Sequence, residues 1–171
     1  MGRLTAALIL AASALPMAPA SATDRLNPNL QPLAFLAGSC WRTTMPGNGG
    51  TDTHCFTPML GGHFLRDRHI LSAVRYSGET LYRWDSAARR IRFDYYSSEG
   101  MLMSGTASSS GQGLTFELSY VSAEGRPVAM RAAWTRDGPD AYIVTQEVGE
   151  NGAWRAVPDH PRFERVGPAA D

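Results

Sequence analysis

Histidines are the side chains of this 171-residue chain with the widest range of chemistry, because imidazole binds metals and transfers protons near neutral pH. His63 and His69 lie on one predicted strand, about 20 Å apart at ~3.3 Å per residue, so they cannot share a metal. His54 could face His63 across a turn, but a zinc site requires at least a third ligand, which the sequence does not indicate. We therefore predict no metal site, and expect these histidines in solvent or at the edge of the core.

Sequence motifs for catalysis are missing as well. Met103-Ser104-Gly105 lacks the upstream glycine of a nucleophile elbow, and the chain contains neither His-Glu-x-x-His nor a glycine-rich phosphate loop. It contains no lysine, which excludes Schiff-base and pyridoxal-phosphate chemistry. Sixteen basic residues balance sixteen acidic residues, so there is no basic surplus for nucleic acid or an anionic membrane. The sequence favours a binding role without catalysis.

The first residues are typical of a secretory signal peptide. Arg3 precedes the uncharged apolar run from Leu4 to Leu15, and Ala20-Ser21-Ala22 resembles a cleavage site. The run is shorter than the ~20 residues that a membrane-spanning helix needs. We expect cleavage after Ala22, no membrane insertion afterwards, and a periplasmic or secreted protein.

Two cysteines agree with export, because an oxidising compartment favours their pairing. If Pro46-Gly47-Asn48-Gly49 is a hairpin loop, then antiparallel register places Cys40 opposite Cys55. Facing residues of a non-hydrogen-bonded pair lie within disulfide range. We predict a Cys40–Cys55 disulfide.

Short alternating runs separated by turn residues every 8–12 positions follow from Ser39 onward, a pattern typical of all-β proteins. We predict a single antiparallel up-and-down β-barrel of about ten strands, because closure removes exposed sheet edges. A short helix is expected over Asn29–Ala37, where leucine and alanine recur at helical spacing before Gly38. The predicted division is 1–22 signal peptide, 23–38 N-terminal segment with the helix, 39–166 barrel, and 167–171 tail.

The barrel interior is where a small apolar or amphipathic molecule would bind. Arg66 and Arg68 share one face of their strand. If that face points inward, the two guanidiniums would bind an acidic headgroup; otherwise they are solvated. The predicted cavity residues are Arg66, Arg68, Tyr82, Trp84, Phe93, Tyr95, Met103 and Trp134.

Several motifs resemble those of lipocalin-like bacterial β-barrel domains of unknown function, relatives of nitrobindins and fatty-acid-binding-protein-like barrels. The motifs are Leu36-Ala37-Gly38 with Trp41, Phe56-Thr57-Pro58-Met59-Leu60-Gly61-Gly62 with Phe64-Leu65-Arg66, Tyr82-x-Trp84-Asp85, Trp154-Arg155 and Arg165-Val166. The likeness spans Leu33 to Val166 and implies the same barrel fold. The chain departs from the Gly-x-Trp-x-Gly start of nitrobindins, since Trp41 lies one residue further from Gly38 and Thr43 replaces the second glycine.

Haem is the cofactor that this resemblance implies, because nitrobindin-like proteins take their haem ligand from a histidine near the C-terminus. His160 is the matching position, although its flanking prolines favour a surface turn. Three functions stay open: a binding protein without a cofactor, a haem-dependent enzyme, and a structural or interaction module with a filled core. The ligand and the oligomeric state are not readable from the sequence.

Overall fold

The computed structural model describes residues 26–46, 49–122, 124–150 and 152–169. The predicted signal peptide and its cleavage site lie outside the described residues. The strands of the described part are β1 (Ser39–Thr44), β2 (Thr51–Met59), β3 (Phe64–Leu71), β4 (Tyr76–Asp85), β5 (Arg90–Ser97), β6 (Leu102–Ser109), β7 (Gly113–Val121), β8 (Pro127–Arg136), β9 (Ala141–Glu150), β10 (Ala153–Ala156) and β11 (Arg162–Pro168). Among the described residues, no helix is long and apolar enough to span a membrane.

Ten strands form a closed antiparallel ring, which confirms the predicted fold class. Strands β1 to β9 pair in sequence order, and β11 lies between β9 and β1. β10 pairs only with the end of β9 and stays outside the ring. β11 therefore closes the barrel by pairing with β1 on one side and β9 on the other.

Alternation along each strand sends one set of side chains inward. On β5, Ile91, Phe93 and Tyr95 are buried while Arg90 and Arg92 are exposed. A closed barrel has one shared dry interior, so these inward faces form a single hydrophobic core. The interior is therefore a place where many strands contribute neighbouring side chains.

The N-terminal segment closes one end of the barrel. The helix expected over Asn29–Ala37 is a 3-10 helix over Pro28–Leu33, followed by turns up to Gly38. Pro28 and Pro32 have no backbone N–H to donate, which prevents a regular α-helical ladder in so short a segment. Its leucines, and Leu36 after it, are fully buried against the strands.

The predicted disulfide is present. Cys40 of β1 lies directly opposite Cys55 of β2, and the two sulfur atoms are bonded. The hairpin register is the one deduced from the sequence, because Met45 N–H donates to the Gly50 carbonyl at 2.7 Å. The bond joins two adjacent strands of the wall.

Replacing both cysteines by serine is expected to lower the free energy of unfolding by about 2–3 kcal/mol. The disulfide removes chain entropy from the unfolded state, worth about 3 kcal/mol for a loop of 15 residues, and residual hairpin structure reduces this. Urea unfolding of the oxidised chain and of Cys40→Ser/Cys55→Ser measures the difference. Equal midpoints and slopes would contradict a stabilising role.

Candidate functional site

An interior cavity of about 310 Å³ is the candidate site. This volume is at the lower end of the range for small-molecule pockets, so it suits a small ligand. Larger hollows of 630 and 620 Å³ are grooves lined largely by outward-facing side chains. The interior cavity has a mainly apolar wall with a polar patch on β2 and β3. It therefore has two chemically different ends.

Most of the predicted cavity residues line this interior. The structure places Tyr82, Phe93, Tyr95, Met103 and Trp134 in its wall. Trp84 packs against the core as a half-buried side chain, outside the cavity lining. Strand parity therefore placed these five side chains correctly on the inner face of the barrel.

The two arginines do not face the cavity. Arg66 is half-buried and Arg68 exposed, whereas the alternate residues Leu65, Asp67 and His69 point inward. The inward orientation considered for Arg66 and Arg68 is therefore wrong, and the two guanidiniums do not line a headgroup site inside the barrel. The β2–β3 register, which the turn at residues 60–62 sets, sends the carboxylate between them inward and the guanidiniums outward.

A hydrogen-bonded network of two histidines and two aspartates occupies the polar end of the cavity. We call Asp52, His54, Asp67 and His69 the His–Asp network. His54 donates through Nδ1 to Asp67 Oδ2 at 2.7 Å and through Nε2 to Asp52 Oδ2 at 3.2 Å. His69 donates through Nδ1 to Asp52 Oδ1 at 3.2 Å. Asp52 thus connects the two imidazoles.

Two tyrosines extend the network. Tyr95 O–H donates to His69 Nε2 at 3.0 Å, and Tyr76 O–H donates to the Tyr95 oxygen at 2.6 Å. Burial raises the pKa of Tyr95 above its usual range. Tyr95 is therefore a neutral donor, which fixes the orientation of the His69 ring.

Electrostatic coupling inside the network determines its charge. Burial alone would lower the pKa of His54, but the charge of Asp67 and hydrogen bonds with both aspartates raise the pKa to about 10. Burial alone would raise the pKa of Asp52, but hydrogen bonds from the two histidines and the charge of His54 hold it well below its usual range. Near neutral pH, a protonated imidazole therefore lies between carboxylates.

Stability is expected to fall by about 2 kcal/mol between pH 7 and pH 9 because of His54. Its pKa is about 10 in the folded chain and 6.5 in the unfolded chain, so the folded state holds the proton more tightly. The contribution is complete below pH 6.5 and is lost as the pH rises through about 10. Urea unfolding of wild type and His54→Gln, in buffer with a chelator, measures it. Equal pH slopes in the two proteins would contradict the assignment.

Two buried polar atoms at the cavity have no hydrogen-bond partner among the residues that the structure describes. They are Asp67 Oδ1 and the Tyr142 hydroxyl. Burial and the charge of Asp67 raise the pKa of Tyr142 well above its usual value, so its hydroxyl keeps its proton. Leaving a buried polar group without a hydrogen bond lowers stability by about 1–3 kcal/mol. A bound molecule that hydrogen-bonds to these two atoms would therefore be stabilising.

The wall is interrupted beside this site. β11 pairs with β9 only at residues 141–143 and with β1 only as far as Arg42. Beyond that point, β9 pairs with β10, whose residues are all exposed. Met45, Gln146 and Pro161 line the cavity at this interruption.

The other two histidines lie outside the interior. His63 is exposed next to the β2–β3 turn, and His160 is exposed and lines an outer groove with Arg90 and Ala156. The inner face of the barrel does not hold His160, so the arrangement does not fit haem bound inside and ligated by this residue. Haem binding stays a prediction of the resemblance alone.

The His–Asp network was missed by sequence reasoning because it depends on strand register. His54 lies directly opposite His69, not His63. The signal was a matching alternation, Asp-x-His on both β2 and β3, at Asp52, His54, Asp67 and His69. Tyr76 is the first residue of β4, and its link to Tyr95 likewise depends on the pairing of strands.

The architecture is that of a lipocalin-like or fatty-acid-binding-protein-like closed barrel. No protein-family model matches this chain, and no curated protein matches its sequence.

Proposed function

We propose that this chain is an exported, non-catalytic binding protein that holds a small amphipathic molecule inside its barrel. The observation that carries the proposal is an interior cavity with buried, unpaired polar atoms on Asp67 and Tyr142. A filled-core module is less well supported, because such a core would have no reason to leave these atoms without partners. The disulfide and the leader-like first residues support an oxidising compartment outside the cytoplasm.

The cavity indicates how the ligand is oriented. The apolar part of the ligand packs against the aromatic side chains of the cavity wall. There the ring centroid of Phe116 lies 4.7 Å from that of Trp134 and 5.9 Å from that of Phe93. The polar part of the ligand reaches the Asp67 oxygen and the Tyr142 hydroxyl. Aromatic walls with a few convergent polar groups are typical of small-molecule sites.

The polar end of the cavity disfavours ligands that carry an acidic group. Two carboxylates of the His–Asp network surround one imidazolium, and no arginine lines this cavity among the described residues. A ligand carboxylate would meet like charge in a poorly solvated site, which is unfavourable. A ligand with a neutral hydrogen-bond donor or a cationic group is therefore expected, rather than a fatty acid.

Filling the cavity is expected to abolish binding. Ala132 lines the interior, and tryptophan at this position would occupy space that the ligand needs. Ala133 lines the outer groove next to it and is absent from the cavity lining, so Ala133→Trp is a matched control. Titration with a neutral, environment-sensitive apolar dye should give saturable binding to wild type and Ala133→Trp, and at least about tenfold weaker binding to Ala132→Trp.

The same comparison identifies natural ligands. Mass spectrometry of small molecules that co-purify with the exported protein should detect a compound with wild type and Ala133→Trp that is missing with Ala132→Trp. Dye binding that is equal in all three proteins, or not saturable in any, would contradict an interior site.

A further inference from the structure

Three side chains on the inner faces of β2 and β3 bring metal-ligating atoms together. Asp52 Oδ2 lies 3.2 Å from His54 Nε2, and Asp52 Oδ1 lies 3.2 Å from His69 Nδ1. Ligating atoms of all three residues lie within 4.8 Å of one another. Ligands bound at 2.0–2.1 Å around one tetrahedral zinc ion are themselves about 3.3 Å apart. The two histidine–carboxylate separations match this spacing, and the three ligating atoms are all close enough to reach one cation.

The ring atoms that do not face Asp52 have the partners expected of metal-binding histidines. His54 Nδ1 lies 2.7 Å from Asp67 Oδ2, and His69 Nε2 lies 3.0 Å from the Tyr95 hydroxyl. Metal-bound histidines donate their other N–H to a carboxylate or another acceptor, which fixes ring orientation and tautomer. With a cation at Nδ1, His69 would donate through Nε2 to the Tyr95 oxygen.

Charge and burial favour a divalent ion here. Asp67 is almost fully buried at 3 % exposure, its Oδ1 is unpartnered, and its ion pair is with His54. Asp52 forms ion pairs with the two histidines. When a cation displaces the proton on His54 Nε2, both imidazoles are neutral and the two carboxylates give the network a charge of −2, which a divalent cation balances within the low-dielectric interior.

We propose that Asp52, His54 and His69 bind a divalent transition-metal ion of the Zn²⁺ type, with Asp67 and Tyr95 orienting the histidines. All three ligands line the interior cavity, so a fourth coordination position faces the cavity. Two histidines, one carboxylate and an open position are typical of metal sites that bind a further small molecule. This inference goes beyond the proposed function, because the metal requires no organic ligand.

Metal titration of the untagged, chelator-stripped full chain tests the proposal. Zn²⁺ binding is measured by calorimetry, and Co²⁺ binding by its visible absorption, which reports coordination by nitrogen and oxygen. Wild type is expected to bind one equivalent of either ion. Tyr95→Phe removes a residue that orients a ligand and should weaken metal binding by about tenfold, within the 10–100-fold typical of such losses. His69→Gln removes a ligand itself and should weaken metal binding by more than about 100-fold. The exposed His63→Gln is the matched control and should bind like wild type.

Near-ultraviolet circular dichroism shows whether each variant keeps the packed aromatic interior. If His69→Gln does not fold, the wild-type stoichiometry and the Tyr95→Phe affinity decide the question. No stoichiometric binding by wild type would overturn the proposal, and so would wild-type affinity in both folded variants. Repeating the dye titration above on chelator-stripped protein makes failure of the metal site and failure of the organic-ligand site distinguishable.

Discussion

Replacing Asp67 by alanine is expected to lower the free energy of unfolding by about 3–5 kcal/mol. Asp67 is 3 % exposed and accepts the 2.7 Å hydrogen bond from His54 Nδ1. Its charge is the largest favourable contribution to the raised pKa of His54. Without it, a buried imidazolium keeps only Asp52 as a partner, and Nδ1–H has no acceptor. Urea unfolding near pH 7, in buffer with a chelator, measures the loss.

Two further variants isolate the charge. Asp67→Asn keeps the volume and one acceptor oxygen, so it should cost less than alanine while weakening the pH dependence attributed to His54. The control Asp94→Ala removes an aspartate whose side chain lies on the outward face of β5 and accepts a hydrogen bond from Ser104 at 2.6 Å. It should lower the free energy of unfolding by about 1 kcal/mol. Equal losses for Asp67→Ala and Asp94→Ala would show that the interior charge pair contributes nothing special.

Strand alternation in the sequence was enough to predict the barrel and its aromatic wall. Ile91, Phe93 and Tyr95 alternate with charged residues, so one face of β5 had to be buried whatever its neighbours. The disulfide was predictable for a similar reason. Its register depends only on one short hairpin, where counting outward from the loop leaves little freedom.

The polar end of the site depended on information that is not local. Odd and even residues of β3 point to opposite faces of the barrel wall. A shift of one residue in the pairing of β3 would therefore turn Arg66 and Arg68 inward in place of Asp67 and His69. The turn between β2 and β3 contains Leu60 and Gly61, both with positive φ, and this unusual backbone sets the register. Composition and periodicity do not encode that choice.

Trp41→Ala is the second substitution expected to have a large effect, about 3–5 kcal/mol of unfolding free energy. Trp41 is fully buried where β1 meets the N-terminal segment that closes one end of the barrel. Its ring centroid lies 5.3 Å from that of Tyr142, the Arg165 guanidinium lies 4.3 Å above it, and its Nε1–H donates to the Leu36 carbonyl at 3.4 Å. Alanine would leave a cavity, an unpaired carbonyl and a guanidinium without its aromatic partner.

The matched control is Trp154→Ala on β10. Trp154 is 44 % exposed and also has an arginine, Arg131, 4.5 Å above its ring, but β10 lies outside the closed ring. Its loss should cost no more than about 1 kcal/mol, because little packed volume is removed. Since Trp41 contacts Tyr142, which lines the cavity, Trp41→Ala should also weaken dye binding, whereas Trp154→Ala should not. Comparable destabilisation by the two substitutions would contradict the view that Trp41 connects the N-terminal segment to the wall of the interior cavity.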